Sequence, residues 1–332
     1  SNVLMSLYSR LFDMKFLNIL PIAVIVVSVS CAPETKEIVY PKATNLYFAD
    51  FSGQQVGVMD VNATNLYDIV ANKENNGLDS VSAIAIDFVA GKVYATEELN
   101  NRVVRFNLDG TGAVEVLFDE EDGVKTPTAI ALDPQTDTVY WANSGTGRIM
   151  KGSRLGGTPK KLTFEVSGDS VLSYSYGLVI DRRYNWIFFS DLDKFQGIWL
   201  GNLDGSGNLF RIVSTTSSNG TVLRNPSQLV FDNDGSRLYW ADEGLGVISV
   251  AALSIQFSQV ASINSAVVYD DEDGVERPDG IGIDKGNSLI YWSETNEGNR
   301  VIKRAALDGT GTPEVILSDV ESYSLILKYE NQ

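Results

Sequence analysis

Leu238-Tyr-Trp-Ala-Asp242 recurs five more times along the chain, as Leu46-Tyr-Phe-Ala-Asp50, Val93-Tyr-Ala-Thr-Glu97, Val139-Tyr-Trp-Ala-Asn143, Ile187-Phe-Phe-Ser-Asp191 and Ile290-Tyr-Trp-Ser-Glu294. The first aromatics, at 47, 94, 140, 188, 239 and 291, stand about 46 to 52 residues apart, the length of a four-stranded repeat. Each copy is short, β-branched and aromatic, and the copies are separated by Asp-Gly, Gly-Gly and Asn-Gly pairs, which is strand-and-turn chemistry. No stretch of the body sustains a 3.6-residue apolar period, so helical solenoids are excluded.

Outward from the signature, each repeat yields more strands. A small-residue segment precedes five copies: Val81–Asp87, Pro127–Asp133, Ser175–Asp181, Pro226–Asp232 and Pro278–Asp284. Small side chains suit the crowded innermost strand. A third strand follows, as in Arg148–Lys151 and Arg300–Arg304, and then turns such as Leu108-Asp-Gly-Thr-Gly112 and Leu307-Asp-Gly-Thr-Gly311, whose glycines supply positive φ. The first signature has no inner strand before it, and Ser322-Tyr-Ser-Leu-Ile-Leu-Lys328 has no signature after it. Pairing residues 322–329 with residues 45–71 completes one blade and removes the open sheet edges. The expected fold is all-β: a six-bladed β-propeller with four-stranded blades over residues 43–332.

From about residue 43 to 329 these repeats resemble the YWTD, or class B, repeats of the low-density-lipoprotein receptor family. The fullest copies are Asn225–Glu243 and Pro278–Glu294. The resemblance implies a propeller that binds other proteins on one face and is not an enzyme. It departs from the receptors in having none of their cysteine-rich flanking modules.

Composition narrows the function. The net charge of -17 disfavours binding to a nucleic-acid backbone, where lysine and arginine displace counterions. The chain holds no histidine, so a Ser-His-Asp triad, a histidine general base or a histidine-liganded metal has no residue to form it. The histidine-dependent lyase chemistry found in some six-bladed propellers falls with it. Pro278-Asp279-Gly280 resembles the segment in which gluconolactonase-like hydrolases place a metal-binding aspartate, which keeps a Ca²⁺-dependent hydrolase or lactonase as the alternative reading. The inner-strand positions equivalent to Asp279 are Ser82, Thr128, Tyr176, Ser227 and Tyr323. One carboxylate is a poor start for a Ca²⁺ site, which takes six to eight oxygens.

The acids closing the signatures recur once per blade and read as serving blade packing or blade-to-blade hydrogen bonding, and Trp141, Trp240 and Trp292 read as core between blades. The loops that break the repeat are better site candidates. Phe118–Pro127 and Tyr269–Pro278, carrying Asp122 and Asp273, are expected on the channel-mouth face beside Tyr174, Tyr176 and Tyr323. The candidate ligand-binding set is Asp279, Tyr176, Tyr323, Thr128, Ser227, Asp122 and Asp273, for a protein, peptide or glycan ligand, with no cofactor required.

Residues 1–31 read as a lead-in and signal peptide: a basic start at Met14-Lys15, an apolar run from Phe16 to Val27, then Ser28-Val-Ser-Cys31. Cys31 is the chain's one cysteine, and its setting resembles the lipobox of bacterial lipoproteins, where the thiol is acylated; Ser28 stands where that motif usually has leucine. A transmembrane anchor or an ordinary secretory signal are the other readings. Residues 32–42 are expected to be a tether. The sequence picture is a monomer held in a bacterial cell envelope, at the outer membrane, through an N-terminal lipid.

Overall fold

The computed structural model describes residues 39–332 apart from 163, 165–170, 218–219, 222, 233 and 257–258. The leader, Cys31 and residues 32–38 therefore lie outside the described residues. The chain folds into six four-stranded antiparallel sheets, a six-bladed β-propeller. Each blade runs from an inner strand outward. Blade 1 comprises Ser322–Tyr329, Ala43–Asp50, Gln55–Asp60 and Asp68–Asn72. The other inner strands are Val81–Asp87, Pro127–Asp133, Leu178–Asp181, Pro226–Asp232 and Pro278–Asp284, in blades 2 to 6. Consecutive inner strands touch, and that of blade 6 touches that of blade 1, so the ring is closed.

Closure follows the expected route. Residues Ala43–Asp50 pair antiparallel with Ser322–Tyr329, Leu46 opposite Leu327 and Phe48 opposite Leu325, so the last strand of the chain becomes the first of blade 1. The compact unit begins at Val39, earlier than the expected boundary at 43. The Lys285 ammonium lies 3.7 Å over the Tyr40 ring, and the Lys42 carbonyl accepts from Glu330 N at 2.8 Å. The end of the expected tether is thus docked on the propeller, on the face where the inner strands end.

Each signature strand packs its aromatics between blades. Trp141, Trp240 and Trp292 are fully buried. Phe118, from the outer strand of blade 2, stacks on Trp141 of blade 3 at 5.1 Å, and Tyr269 of blade 5 on Trp292 of blade 6 at 5.5 Å. The tryptophans are therefore core, as the repeat logic requires. The closing acids cap both the loop that leads into their own blade and the turn that follows them: Asp242 accepts from the backbone N–H of Arg224, Asn225 and Leu245, and Asp191 from those of Ser173, Asp193 and Phe195. The Asp-Gly turns serve the same joint. Gly110 has φ +76°, and a Cβ there would stand 2.5 Å from the Val70 carbonyl oxygen of blade 1. The Asn76 amide, from a four-residue helix (Lys73–Asn76) that the repeat pattern did not predict, donates to the Gly110 and Gly112 carbonyls.

The blades depart from strict repetition in three places. The outer strand of blade 3 is only Lys160–Lys161, the inner strand of blade 4 begins at Leu178 rather than at Ser175, and blade 5 extends into a long hairpin, Val247–Gln256 with Gln259–Tyr269. Among the described residues no helix is long and apolar enough to cross a membrane.

Candidate functional site

Inner strands start at the face where the outer strand of one blade hands over to the next, which makes that face the channel mouth. Six ring positions meet there, and two large aromatics close it. Tyr176 belongs to blade 4 and Tyr323 to blade 1, opposite members of the ring, and their rings stack at 4.8 Å and 3° across the channel. Tyr174 packs edge-on against Tyr176 at 5.4 Å, and Phe51 edge-on against Tyr323 at 5.8 Å. The four rings form an aromatic bridge over the mouth. Burial, then the nearby carboxylate of Glu98, pushes the Tyr176 phenol far above its ordinary range, so it acts as a neutral donor and an apolar surface.

Below the bridge, Asp279 of blade 6 is fully buried. Ser227 Oγ of blade 5 donates to Asp279 Oδ1 at 3.2 Å, and Thr295 Oγ1 donates to Oδ2. Burial pushes the Asp279 carboxyl up to about 7, against the pull of the two hydroxyls and of Arg277. Thr128 is also buried, paired with Ser144 Oγ at 2.7 Å and donating to the Ser175 carbonyl. Thus Asp279 with Ser227 and Tyr176 with Tyr323 come together as neighbours, whereas Thr128 is tied into the joint between blades 3 and 4.

Asp122 and Asp273 sit in matching exposed loops, and the contacts described for them are internal. Asp122 Oδ2 accepts from Asp119 N at 3.4 Å, and Asp273 Oδ2 from Asp270 N at 3.3 Å; Val124 and Val275 anchor the loops in the core. These acids shape their turns by capping.

The donor set does not fit a Ca²⁺ ion. Both Asp279 oxygens hold hydroxyls, Glu243 is paired with Arg277, and no group of three Asp, Glu, His or Cys side chains among the described residues converges as ligands.

Two features escape the sequence reading. Gln228, at the third inner-strand position of blade 5, crosses to two other blades: its amide donates to the Leu325 carbonyl at 3.1 Å, and its oxygen accepts from Ile281 N at 2.8 Å and Leu325 N at 2.9 Å. Beside it lies a channel section of about 350 Å³, whose lining includes Ile86, Leu132, Ile180, Phe231, Ile283 and Leu327. The second is Glu98, one residue past the signature of blade 2. The Tyr174 hydroxyl donates to its Oε1, while Oε2 is buried with no hydrogen-bond partner among the described residues.

The chain is similar to YWTD-type propellers. A 100-residue stretch, 30% of the chain, is 34% identical to low-density lipoprotein receptor-related protein 5 of Mus musculus, and it spans 6% of that relative's length. No protein-family model matches the chain. A chain of a nidogen/laminin complex superposes with a TM-score of 0.67 at 18% identity, over 85% of this chain and 97% of that one. Virginiamycin B lyase from Staphylococcus aureus, solved as a catalytically inactive variant with quinupristin, gives 0.53 at 16% identity, over 85% of this chain and 86% of that one. At these identities the solved structures establish the fold.

Proposed function

We propose that the chain is a non-catalytic binding protein whose channel-mouth face takes a protein, peptide or glycan ligand, and that Cys31 anchors it in a bacterial cell envelope. The observation that carries the binding reading is the aromatic bridge: four rings gathered from blades 1 and 4 at a rim with three carboxylates, Glu98, Glu243 and Glu321. Large, conformationally stiff aromatics beside a few polar groups are what recognition surfaces are made of. That a chain of similar fold was solved within a nidogen/laminin complex is in keeping with a protein ligand. The docked Tyr40–Lys42 segment leaves the propeller from the face opposite the mouth.

The test is selection of ligands from a peptide display library and a glycan array on the full chain in detergent, with a Tyr176→Ala/Tyr323→Ala variant as counter-selection. Ligands retained by the wild type and lost by the variant support the reading. Ligands that bind both equally place recognition elsewhere, and palmitate labelling lost in Cys31→Ser checks the anchor separately.

A further inference from the structure

The mouth acids differ in how they are satisfied. Glu243 is bridged by Arg277, and Arg300 lies 3.1 Å from Glu321, whose other oxygen accepts from the Tyr323 hydroxyl at 2.8 Å. Asp279 holds two hydroxyls. Of these four, Glu98 is the one with a buried oxygen left over among the described residues. Its Oε1 is taken by Tyr174, and Oε2 is buried without a partner among the described residues. A desolvated carboxylate oxygen with nothing to bond is costly to leave so, and such groups normally have a partner. Its surroundings define what that partner is. The charge of Glu98 is felt by Tyr174, Tyr176 and Tyr323, so the carboxylate lies against the aromatic bridge. Aromatic faces beside one carboxylate attract a cation. An arginine guanidinium grips carboxylates through both oxygens, but here one is occupied; a primary ammonium is a point charge that needs only one.

The geometry points to a lysine subsite: Glu98 Oε2 receives the ammonium of a lysine side chain presented by a protein or peptide ligand, with Tyr174 and Tyr176 flanking its stem. This rests on the mouth being the ligand-binding face. Because Oε2 is shielded from water, the side chain enters as the Tyr176–Tyr323 stack parts. The rim residue Leu99, exposed beside Glu98, offers apolar contact to the rest of the ligand.

The experiment is titration of the full chain in detergent with Nα-acetyl-lysinamide, Nα-acetyl-argininamide and the neutral Nα-acetyl-norleucinamide, followed by ligand-observed NMR. Wild type is expected to bind the lysine probe at least about tenfold more tightly than the other two, equivalent to about 1.4 kcal/mol. Glu98→Gln keeps an acceptor for Tyr174 and removes the charge; it is expected to abolish that preference while melting no lower than wild type. A lysine preference absent from the wild type, or retained in Glu98→Gln, overturns the subsite. Display-selected ligands separate the two claims: binding lost in Tyr176→Ala/Tyr323→Ala but unchanged in Glu98→Gln retains the mouth and rejects the lysine subsite, and binding unchanged in both variants rejects both.

Discussion

Replacing Gln228 with leucine tests whether one side chain ties three blades together. Gln228 makes three hydrogen bonds to backbone groups of Ile281 and Leu325, at 2.8, 2.9 and 3.1 Å. Leucine has a similar volume, so the packing change is small and the loss is polar. Two backbone N–H groups and one carbonyl lose this partner, at about 1–3 kcal/mol for each buried group left unpaired. Water in the adjoining channel section satisfies some of them, which brings the expected destabilisation to about 3 kcal/mol. Urea unfolding followed by tryptophan fluorescence reads this as a lower midpoint at unchanged slope, since the surface exposed on unfolding is nearly the same. A Gln228→Leu protein within about 0.5 kcal/mol of wild type, the scatter of ordinary surface substitutions, would refute the claim that the amide cross-links the ring.

Asp279 gives a pH signature. Its folded carboxyl sits at about 7 because of burial, above the unfolded value, so the folded chain holds a proton that the unfolded chain releases, and stability falls as pH rises through that window. Asp279→Asn is expected to match wild type near pH ~4 and to exceed it above neutrality by roughly 1–4 kcal/mol; parallel stability curves for the two proteins across that range would reject it. Gly110→Ala places a Cβ against the Val70 carbonyl at positive φ and is expected to cost at least about 1 kcal/mol in the same unfolding assay. A neutral result there would mean that the turn relaxes away from blade 1.

The fold was legible because a closed propeller repeats one physical problem six times. Every blade needs an aromatic layer against its neighbour and a cap for the loop entering its inner strand, so Tyr239-Trp-Ala-Asp242 and its copies stand out as a period. Closure was legible from the unmatched pieces at 46 and 322. The mouth was legible in part: numbering around the ring puts Tyr176 and Tyr323 three blades apart, hence facing, although their stacking depends on ring orientations no pattern encodes. Gln228 carried a signal that went unread, since the equivalent positions are Ala83, Ala129, Gly177, Gly280 and Ser324, and a long amide among small residues must reach somewhere.

Glu98 was missed because the position after the signature has no consensus, being Phe51, Glu98, Ser144, Leu192, Glu243 and Thr295 around the ring. Variation at a fixed place on a rigid scaffold is itself the mark of a surface free to specialise. The closing residues show the converse. Trp292 Nε1 donates to Glu294 Oε1 at 2.9 Å, whereas the Nε1 atoms of Trp141 and Trp240 have no partner among the described residues. Asn143 and Asp242 are one carbon shorter than Glu294 and are committed to their loops. A pattern that treats Asp, Asn and Glu as one class cannot register that difference.

The most direct test of the binding face compares two cysteines on the two hairpins of blade 2, in a background with Cys31→Ser. Leu99→Cys lies on the mouth side, where the native residue is 70% exposed, and Val89→Cys on the opposite side, where it is 95% exposed. Alkylation rates are measured with and without a ligand selected by display on the wild type. The account predicts that the ligand slows modification at position 99 and leaves position 89 unchanged. Protection at 89, with 99 unaffected, would contradict it and move recognition to the other face of the propeller.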